Sequence, residues 1–464
     1  MADFDCAIIG SGTAGGVLAH FLTEGGLKCL LLEAGQEYNV QTYPDSELEG
    51  TSELYWNGGM DISQDGRLVL LRAKCVGGGS VINQCLLDRF DQPAFSTWKN
   101  ASGVSFFSEE AMAPHYESIE SNLSIQKVSR EHFNKNAETF VRGFEALGFG
   151  WMPLTRGQTN CALELGNDCI GCLNGCHRDS KQSIPVVFLP KAMERGLEVR
   201  PGCFVERVVP EERQVRLLTR GQRGHAEITA KACVLAAGAL GSTQLLLASG
   251  LQKDLPYLGQ GFFCHPQTMI FGAFEEDVCA FKGAFQAAKS SDARLRAMGL
   301  KFENVFAPPA SIAMLIPGYG KKHQGWMRRF KNLACMEVAI QDKNPGRLEL
   351  QKNGTFSILK TLDQGDKKRL EEGKSIAKRA LIASGAKEVF ASKLVLGLHL
   401  MGGCAMGRDQ SRSVVDEQFR VNGVQNLFIA DSSIFPAAPG INPALTIMAL
   451  AHRASQTLLE KRVW

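Results

Sequence analysis

The strongest constraint on the fold lies in the first 35 residues, where an apolar strand leads into a glycine-rich turn. The stretch DCAIIG (5–10) runs into GSGTAGG (10–16), and VLAHFLTEGG (17–26) then has helical periodicity. The stretch KCLLLEAG (28–35) predicts a second strand. This order is a βαβ unit, which indicates an α/β protein.

The glycines of this turn have the spacing of a dinucleotide-binding fingerprint. Gly10, Gly12 and Gly15 fit G-x-G-x-x-G. The first glycine permits the tight turn, the second admits a pyrophosphate close to the backbone, and the third lets the helix pack on the strand. The pyrophosphate then lies at the positive end of the helix. Glu33, which ends the second strand, is predicted to accept the ribose hydroxyls, but the fingerprint alone does not separate FAD from NAD.

Composition excludes several classes of protein. Hydrophobic residues at 44% and charged residues at 21% are values of a globular enzyme rather than of a disordered or membrane-embedded chain. The net charge of +3 provides no field that recruits nucleic acid, so no nucleic-acid partner is expected. The N-terminus shows no signal-peptide pattern, which predicts a cytoplasmic protein.

Five further motifs follow in order along the chain. They are RAKCVGGGSVINQ (72–84), GALGSTQLLLASG (238–250), LHLMGGCAMG (398–407), NLFIADSSIFP (426–436) and GINPALTIMALAHRA (440–454). Together they resemble the glucose-methanol-choline (GMC) family of FAD-dependent alcohol oxidoreductases, and are most similar to its cholesterol oxidase and long-chain-alcohol oxidase branches. The resemblance implies an α/β fold with a Rossmann-type FAD-binding domain and an interleaved α+β substrate domain built on an antiparallel sheet. We expect the FAD-binding domain at 1–90, 161–264 and 395–464, and the substrate domain at 91–160 and 265–394.

The resemblance also implies a set of cofactor-binding residues. Some family members attach FAD covalently through a histidine in the loop after the second glycine-rich stretch. Residues 79–87 contain no histidine here, so non-covalent FAD is expected. The residues implied to bind FAD are Gly10, Gly12, Thr13, Ala14, Gly15, Glu33, Ala34, Gly77, Gly78, Gly79, Ser80, Asn83, Val205, Asp431, Ala438, Asn442 and Pro443.

His399 and Asn442 match the active-site pair of the family. Oxidising an alcohol needs one group that takes the hydroxyl proton and another that orients the oxygen. Histidine suits the first task because its ordinary pKa lies near neutrality, and an asparagine amide suits the second without adding a charge. The implied reaction is proton abstraction and hydride transfer to flavin from the CH–OH of a bulky apolar or sterol-like alcohol, with oxygen or an electron carrier as acceptor. A lyase in which FAD accepts no hydride, and a non-enzymatic flavoprotein subunit, are the alternatives.

A dense group of cysteines leaves its role open. Cys169, Cys172 and Cys176 lie within eight residues, with Cys161 shortly before them. Such thiols can ligate an iron-sulfur cluster or zinc, form a disulfide, or remain plain thiols. A cluster would make the protein a dehydrogenase that passes electrons to a carrier.

Three other features are of interest outside the main motifs. His265 in QGFFCHP (260–266) is expected to be structural, and Glu303 in LKFENVFAPP is a carboxylate that can assist at the substrate. The segment 318–332 holds five basic residues interleaved with aromatic ones. It is either a solvated loop or a segment that makes peripheral contact with a membrane.

Overall fold

Two β-sheets with helices packed on them organise the protein. The computed structural model describes residues 2–159, 161, 171–222 and 224–461. The strands are β1 Phe4–Ile9, β2 Cys29–Leu32, β3 Asp61–Ile62, β4 Leu68–Leu70, β5 Ile125–Lys127, β6 Trp151–Pro153, β7 Thr155–Gly157, β8 Glu198–Arg200, β9 Phe204–Pro210, β10 Val215–Gly221, β11 Gly224–Leu235, β12 Gln260–Ala273, β13 Ala288–Ser290, β14 Leu300–Asn304, β15 Leu333–Ile340, β16 Gly346–Leu350, β17 Phe356–Leu359, β18 Glu388–Ala391, β19 Val395–Met401 and β20 Leu427–Ile429. The helices are α1 Thr13–Glu24, α2 Glu47–Leu54, α3 Gly79–Ile82, α4 Gln92–Ser102, α5 Glu109–Glu120, α6 Lys135–Ala146, α7 Ile184–Val187, α8 Leu189–Glu194, α9 Gly238–Ala248, α10 Ala293–Ala297, α11 Pro309–Leu315, α12 Gly320–Arg328, α13 Gln364–Ala383 and α14 Ala444–Lys461.

The first sheet contains the βαβ unit predicted from the N-terminal residues. Its strands follow the order β8, β2, β1, β11, β10, β9, with β20 beside β11. Strand β1 pairs in parallel with β2 and with β11, whereas β9, β10 and β11 form an antiparallel meander. Strand β1 lies between two parallel neighbours and is buried over most of its length, which accounts for its almost uninterrupted apolar sequence.

The second sheet is largely antiparallel. Its order is β3, β4, β19, β12, β15, β14, β13, β6, and β12 also pairs with β16 and β18. The stretches MIFGAF (269–274), LACMEVAIQ (333–341) and RLELQ (347–351) lie almost entirely in β12, β15 and β16. Helix α13, whose N-cap Asp363 accepts a hydrogen bond from the Asp366 N–H, packs with α6 on β12 and β15. A Rossmann-type unit combined with an antiparallel substrate sheet is the fold class that the sequence indicated.

The two units exchange segments more often than the predicted boundaries suggest. Trp98 of α4 is buried in the core of the first unit, where its ring centroid lies 4.3 Å from that of Phe435. Helix α5 packs on α14 in the same unit. Strands β3 and β4, from the first 90 residues, pair in the second sheet. The division into two domains therefore stays a prediction.

The basic and aromatic segment 318–332 is largely helical. Trp326 of α12 packs on Phe390, with ring centroids 4.3 Å apart, and Phe330 packs on Phe306. The aromatic rings thus face the core of the second unit, while Lys321 and Lys322 are exposed. Over the described ranges, every helix is too short or too polar to cross a membrane.

Candidate functional site

The turn after β1 is shaped for close packing and for an anion. A Cβ at Gly15 would lie 1.8 Å from the carbonyl oxygen of Gly10, so only glycine lets α1 approach the strand this closely. Gly10 itself has φ +97°, a conformation that favours glycine. Helix α1 begins at Thr13 without a side-chain cap and without an acidic residue in its first turn. Its N–H groups and positive dipole end are therefore available to a phosphate group.

Ser11 connects the first glycine-rich turn, Glu33 and the second glycine-rich loop. Sequence reasoning missed this residue. Glu33 Oε2 accepts from the Ser11 N–H (3.0 Å) and from the Ser11 hydroxyl (2.7 Å), and Oε1 accepts from the Gly35 N–H (2.8 Å). Burial raises the pKa of Glu33, and these bonds oppose that shift. The Ser11 hydroxyl oxygen also accepts from the Gly77 N–H (3.0 Å). Glu33 Oε1, with one described donor, retains capacity for a ribose hydroxyl. The signal in the sequence was a hydroxyl residue between the first two glycines.

The second glycine-rich loop lies directly against the first. A Cβ at Gly78 would stand 2.7 Å from the Cα of Gly12, so the two turns meet backbone to backbone. Buried Lys181 pins this loop by donating to the carbonyls of Val81 (2.6 Å), Asn83 (2.7 Å) and Cys172 (2.6 Å). The sequence reasoning missed Lys181 as well, because its partners are carbonyl groups that leave no pattern in the side chains.

The remaining predicted cofactor residues shape the surroundings of these loops. Asp431 Oδ2 accepts from the Gly238 N–H (2.8 Å) and the Ser242 hydroxyl (2.5 Å), which ties the start of α9 to the C-terminal segment. The Ala438 carbonyl accepts from the Gln341 amide (2.9 Å), and Val205 is buried on β9. Their contact with FAD stays a prediction.

His399 lies at an irregularity of β19 that redirects its side chain. Phe263 pairs with Met401 and His265 with Leu398, so three steps along β19 match two along β12. His399 has φ +55° within this bulge, a left-handed conformation that costs a residue other than glycine about 1–3 kcal/mol. Bulges of this kind re-aim side chains next to active sites. His399 as a whole residue is partly exposed, which leaves room for a ligand to approach it.

Two histidines form a hydrogen-bonded pair whose proton positions follow from the backbone. His265 Nδ1 lies 3.0 Å from His399 Nδ1, and the Gly440 N–H donates to His265 Nε2 (3.0 Å). Because a backbone N–H can only donate, neutral His265 carries its hydrogen on Nδ1 and donates it to His399. Neutral His399 then carries its own hydrogen on Nε2. Burial, with a smaller contribution from the Lys301 charge, lowers the pKa of His399 to about 3, so the ring is neutral at ordinary pH. His265, expected to be structural, thus contacts the predicted active-site ring.

Asn442 lies in a network of charged groups. Its Oδ1 accepts from Lys301 Nζ (2.6 Å), and its Nδ2 donates to Asp88 Oδ2 (3.0 Å) and Glu303 Oε1 (3.1 Å). Both amide hydrogens are therefore used, and only acceptor capacity on Oδ1 remains for a substrate. Lys301 also pairs with Glu303 at 2.7 Å, and Lys289 pairs with Asp88.

The same face of the second sheet carries a second buried carboxyl. Glu337 on β15 lies directly opposite Glu303 on β14. Burial and the neighbouring Glu303 charge raise the pKa of Glu337 to about 8, so its side chain is protonated at neutral pH. Within the described ranges, buried Gln267 has no hydrogen-bond partner for either amide atom. Sequence reasoning named Glu303 but missed Lys301, although their alternation in LKFEN places both on one face of a strand.

The described cysteines do not supply a metal centre. Cys161, Cys172 and Cys176 are described, while Cys169 lies outside the described residues. In the part of the chain that the structure describes, no three or more histidine, cysteine, aspartate or glutamate side chains are arranged to hold a metal ion. The iron-sulfur interpretation therefore finds no support there.

These residues fit FAD. The uncapped start of α1, the facing glycines and the free acceptor capacity of Glu33 would hold the pyrophosphate and ribose, and the unpartnered Gln267 amide leaves polar capacity on the second sheet. Together with the histidine pair, the fold defines an FAD-dependent oxidoreductase. Comparison with protein families makes the assignment narrower, because models of GMC oxidoreductases match residues 51–267 and 347–451. The chain belongs to the GMC oxidoreductase family.

Individual relatives are distant but cover the chain. A long-chain-alcohol oxidase of Arabidopsis thaliana, FAO3, is 25% identical over 97% of this chain and 67% of its own length. A cholesterol oxidase of Acinetobacter baumannii is 24% identical over 97% of this chain and 94% of its own. The crystal structure of a pyridoxine 4-oxidase from "Mesorbium loti" superposes with a TM-score of 0.78 at 18% identity, covering 97% of this chain and 98% of that one. The structural likeness confirms the fold.

Proposed function

We propose that the protein oxidises the CH–OH group of a bulky apolar alcohol, using non-covalently bound FAD. The observation that carries this proposal is the accessible, neutral ring of His399, held next to the Asn442 network on the polar face of the second sheet. The names of two relatives, a long-chain-alcohol oxidase and a cholesterol oxidase, support an apolar alcohol. When bound, FAD supplies the hydride acceptor.

His399 acts at the substrate oxygen. In the tautomer fixed by Gly440 and His265, its Nε2–H donates to the hydroxyl oxygen and holds it in place. For Nε2 to take the hydroxyl proton, His399 must first carry its hydrogen on Nδ1 and donate it to His265 Nδ1. Neutral His265 then carries its own hydrogen on Nε2, so this atom can no longer accept from the Gly440 N–H. Proton abstraction by His399 is thus coupled to a tautomer exchange in the pair. Asn442 Oδ1 offers an acceptor to the substrate, and Glu303 assists by holding the Asn442 amide.

The proposed reaction also needs an electron acceptor and a route by which an apolar alcohol reaches the protein. Oxygen or an electron carrier would serve as the final electron acceptor. The segment 318–332 contacts an anionic membrane surface through Lys321 and Lys322, with exposed Tyr319 beside them. An apolar alcohol that partitions into lipid would be delivered at such a surface.

Anaerobic stopped-flow spectroscopy tests the proposed reaction. A long-chain primary alcohol and a sterol are each mixed with the FAD-loaded protein, and we expect loss of the oxidised flavin bands with at least one of them. His399→Asn should bind FAD normally but reduce the rate by about 10²- to 10⁴-fold, the contribution of a positioned acid–base group. A flavin that stays oxidised with every alcohol would favour the lyase alternative. An unchanged rate in His399→Asn would remove this residue from the site.

A further inference from the structure

Lys301 lies on the same face of the second sheet as the histidine pair. The strand register places Lys301 opposite Ala339, and Ala339 opposite Gln267. His265 lies two residues before Gln267 on β12 and so shares its face, because side chains alternate along a strand. Lys301 is well buried, with 15% of its side chain exposed. A buried ammonium group requires partners, and its partners are residues of the site.

The contacts of Lys301 select one orientation of the Asn442 amide. An ammonium group can only donate and a carboxylate can only accept, whereas an amide does both. Lys301 Nζ faces Asn442 Oδ1 at 2.6 Å, and the carboxylates of Asp88 and Glu303 face Nδ2 at 3.0 and 3.1 Å. Turning the amide over would oppose donor to donor and acceptor to acceptor. The amide oxygen of Asn442 is therefore held on the Lys301 side.

We propose that Lys301 is a positioning residue of this site: its ammonium group fixes Asn442 with the amide oxygen as acceptor, and its charge disfavours protonation of the neighbouring His399 ring. The inference rests on the proposed alcohol oxidation. Both effects are distinct from the structural role of Lys301 as the ion-pair partner of buried Glu303, because the orientation of Asn442 and the titration of His399 can each be measured separately from stability.

The charges around His399 support the second effect. His265 from β12 contacts the His399 ring, and Lys301 from β14 contributes a charge near it. His265 is neutral because burial and its neighbours lower its pKa well below the ordinary value. Lys301 is the charge that acts on His399, adding to the burial that lowers the pKa of this ring. The carboxylates of Glu303 and Asp88 raise the pKa of the ammonium group despite its burial, so it stays charged.

Two substitutions separate the charge of Lys301 from its hydrogen bond. Lys301→Gln keeps a donor for Asn442 but removes the charge, and Lys301→Met removes both. The matched control is Lys289→Gln. This substitution removes another cation of the same cluster, one that pairs with Asp88. All variants are studied with FAD bound. The titration of His399 is followed by NMR of protein labelled at histidine ¹³Cε1, with its signal identified by its absence in His399→Asn.

We expect both Lys301 variants to shift the titration of His399 to higher pH, by about one unit or more, because a nearby cation is lost. Flavin reduction by alcohol should fall by about 10²-fold in Lys301→Met, where Asn442 is also released, and less in Lys301→Gln. Lys289→Gln should leave the titration where it is in the parent. If the neutral variants do not hold FAD, Lys301→Arg should keep the parent titration while slowing reduction.

Several results would overturn the proposal. In the titration of His399, these are no change when the Lys301 charge is removed, an equally large shift in Lys289→Gln, or a shift in Lys301→Arg. In the kinetics, it is a rate of flavin reduction in Lys301→Met that equals that of the parent. Failure of the proposed function is distinguishable, because the parent itself would then not be reduced by alcohol. The titration, which needs no substrate, would still decide whether Lys301 controls the charge of His399.

Discussion

Replacing Glu337 by glutamine should stabilise the protein, and increasingly so as the pH rises. Glu337 is buried opposite Glu303, and its pKa is raised from the ordinary 4.5 to about 8, first by burial and then by the Glu303 charge. In the unfolded chain the same carboxyl ionises near its ordinary value. Its contribution to stability is thus fully present below pH 4.5 and is lost as the pH rises towards 8.

The size of the effect follows from proton linkage. Each pH unit between the unfolded and folded pKa values removes about 1.4 kcal/mol from the free energy of unfolding. From 4.5 to 7 this is at most about 3 kcal/mol, and from 4.5 to 8 at most about 5 kcal/mol. These are upper limits because Glu303 competes for the same proton. A glutamine resembles the protonated carboxyl and has no proton to lose, so the free energy of unfolding of Glu337→Gln should not fall with pH for this reason.

Denaturant unfolding of the FAD-loaded protein at pH 5, 7 and 9, followed by tryptophan fluorescence, measures the effect. The variant should exceed the parent in stability by a margin that grows from pH 5 to pH 9. Glu371→Gln is the control, since Glu371 on α13 has 70% of its side chain exposed and should show no such trend. A margin that does not change with pH would refute the linkage, and a loss of stability at pH 9 would refute its sign.

Two further predictions concern FAD binding. Because no histidine lies in residues 79–87, acid or heat should release FAD into the supernatant, and flavin that stays with the denatured chain would contradict this. Gly15→Ala should abolish FAD binding and destabilise the protein, because its Cβ would lie 1.8 Å from the Gly10 carbonyl oxygen; flavin absorbance of the purified protein checks this. Gly325→Ala, at a site with open space around the Cβ on α12, is the control and should retain FAD. Normal FAD content in Gly15→Ala would show that the turn is not the dinucleotide site.

The parts of the site that the sequence predicted are those built from consecutive residues. A strand, a glycine turn and a helix are local, so Gly10, Gly12 and Gly15 could be assigned from their spacing. The environment of Asn442 could not, because Asp88 and Lys301 come from segments distant in sequence and meet it only in the folded protein. Basic and aromatic residues of 318–332 were compatible with either a solvated loop or a segment that contacts a membrane. Tertiary packing decided that Trp326 and Phe330 face the core.

The contact between His265 and His399 could not be predicted from the sequence either. His265 and His399 are separated by 134 residues and meet because a bulge turns His399 out of the regular alternation of β19. Hydrophobic patterning contains no sign of that bulge. The positive φ of His399 and the two glycines that follow it are its physical basis, since Gly402 approaches the Gly261 carbonyl too closely for any Cβ. The role of His265 therefore could not be read from its position before a proline.

Both predicted active-site side chains, those of His399 and Asn442, are oriented by groups that have only one hydrogen-bonding role. The Gly440 N–H can only donate, which fixes His265 and, through it, the hydrogen of His399 on Nε2. The Lys301 ammonium can only donate, which fixes the amide oxygen of Asn442. Histidine and asparagine would otherwise have two states each, and selecting one of them would become a cost of the reaction. In the proposed reaction, the donor on His399 and the acceptor on Asn442 would thus be in place to bind the alcohol, which is the condition for electrostatic preorganisation. Proton abstraction by His399 would still require the tautomer exchange in the histidine pair.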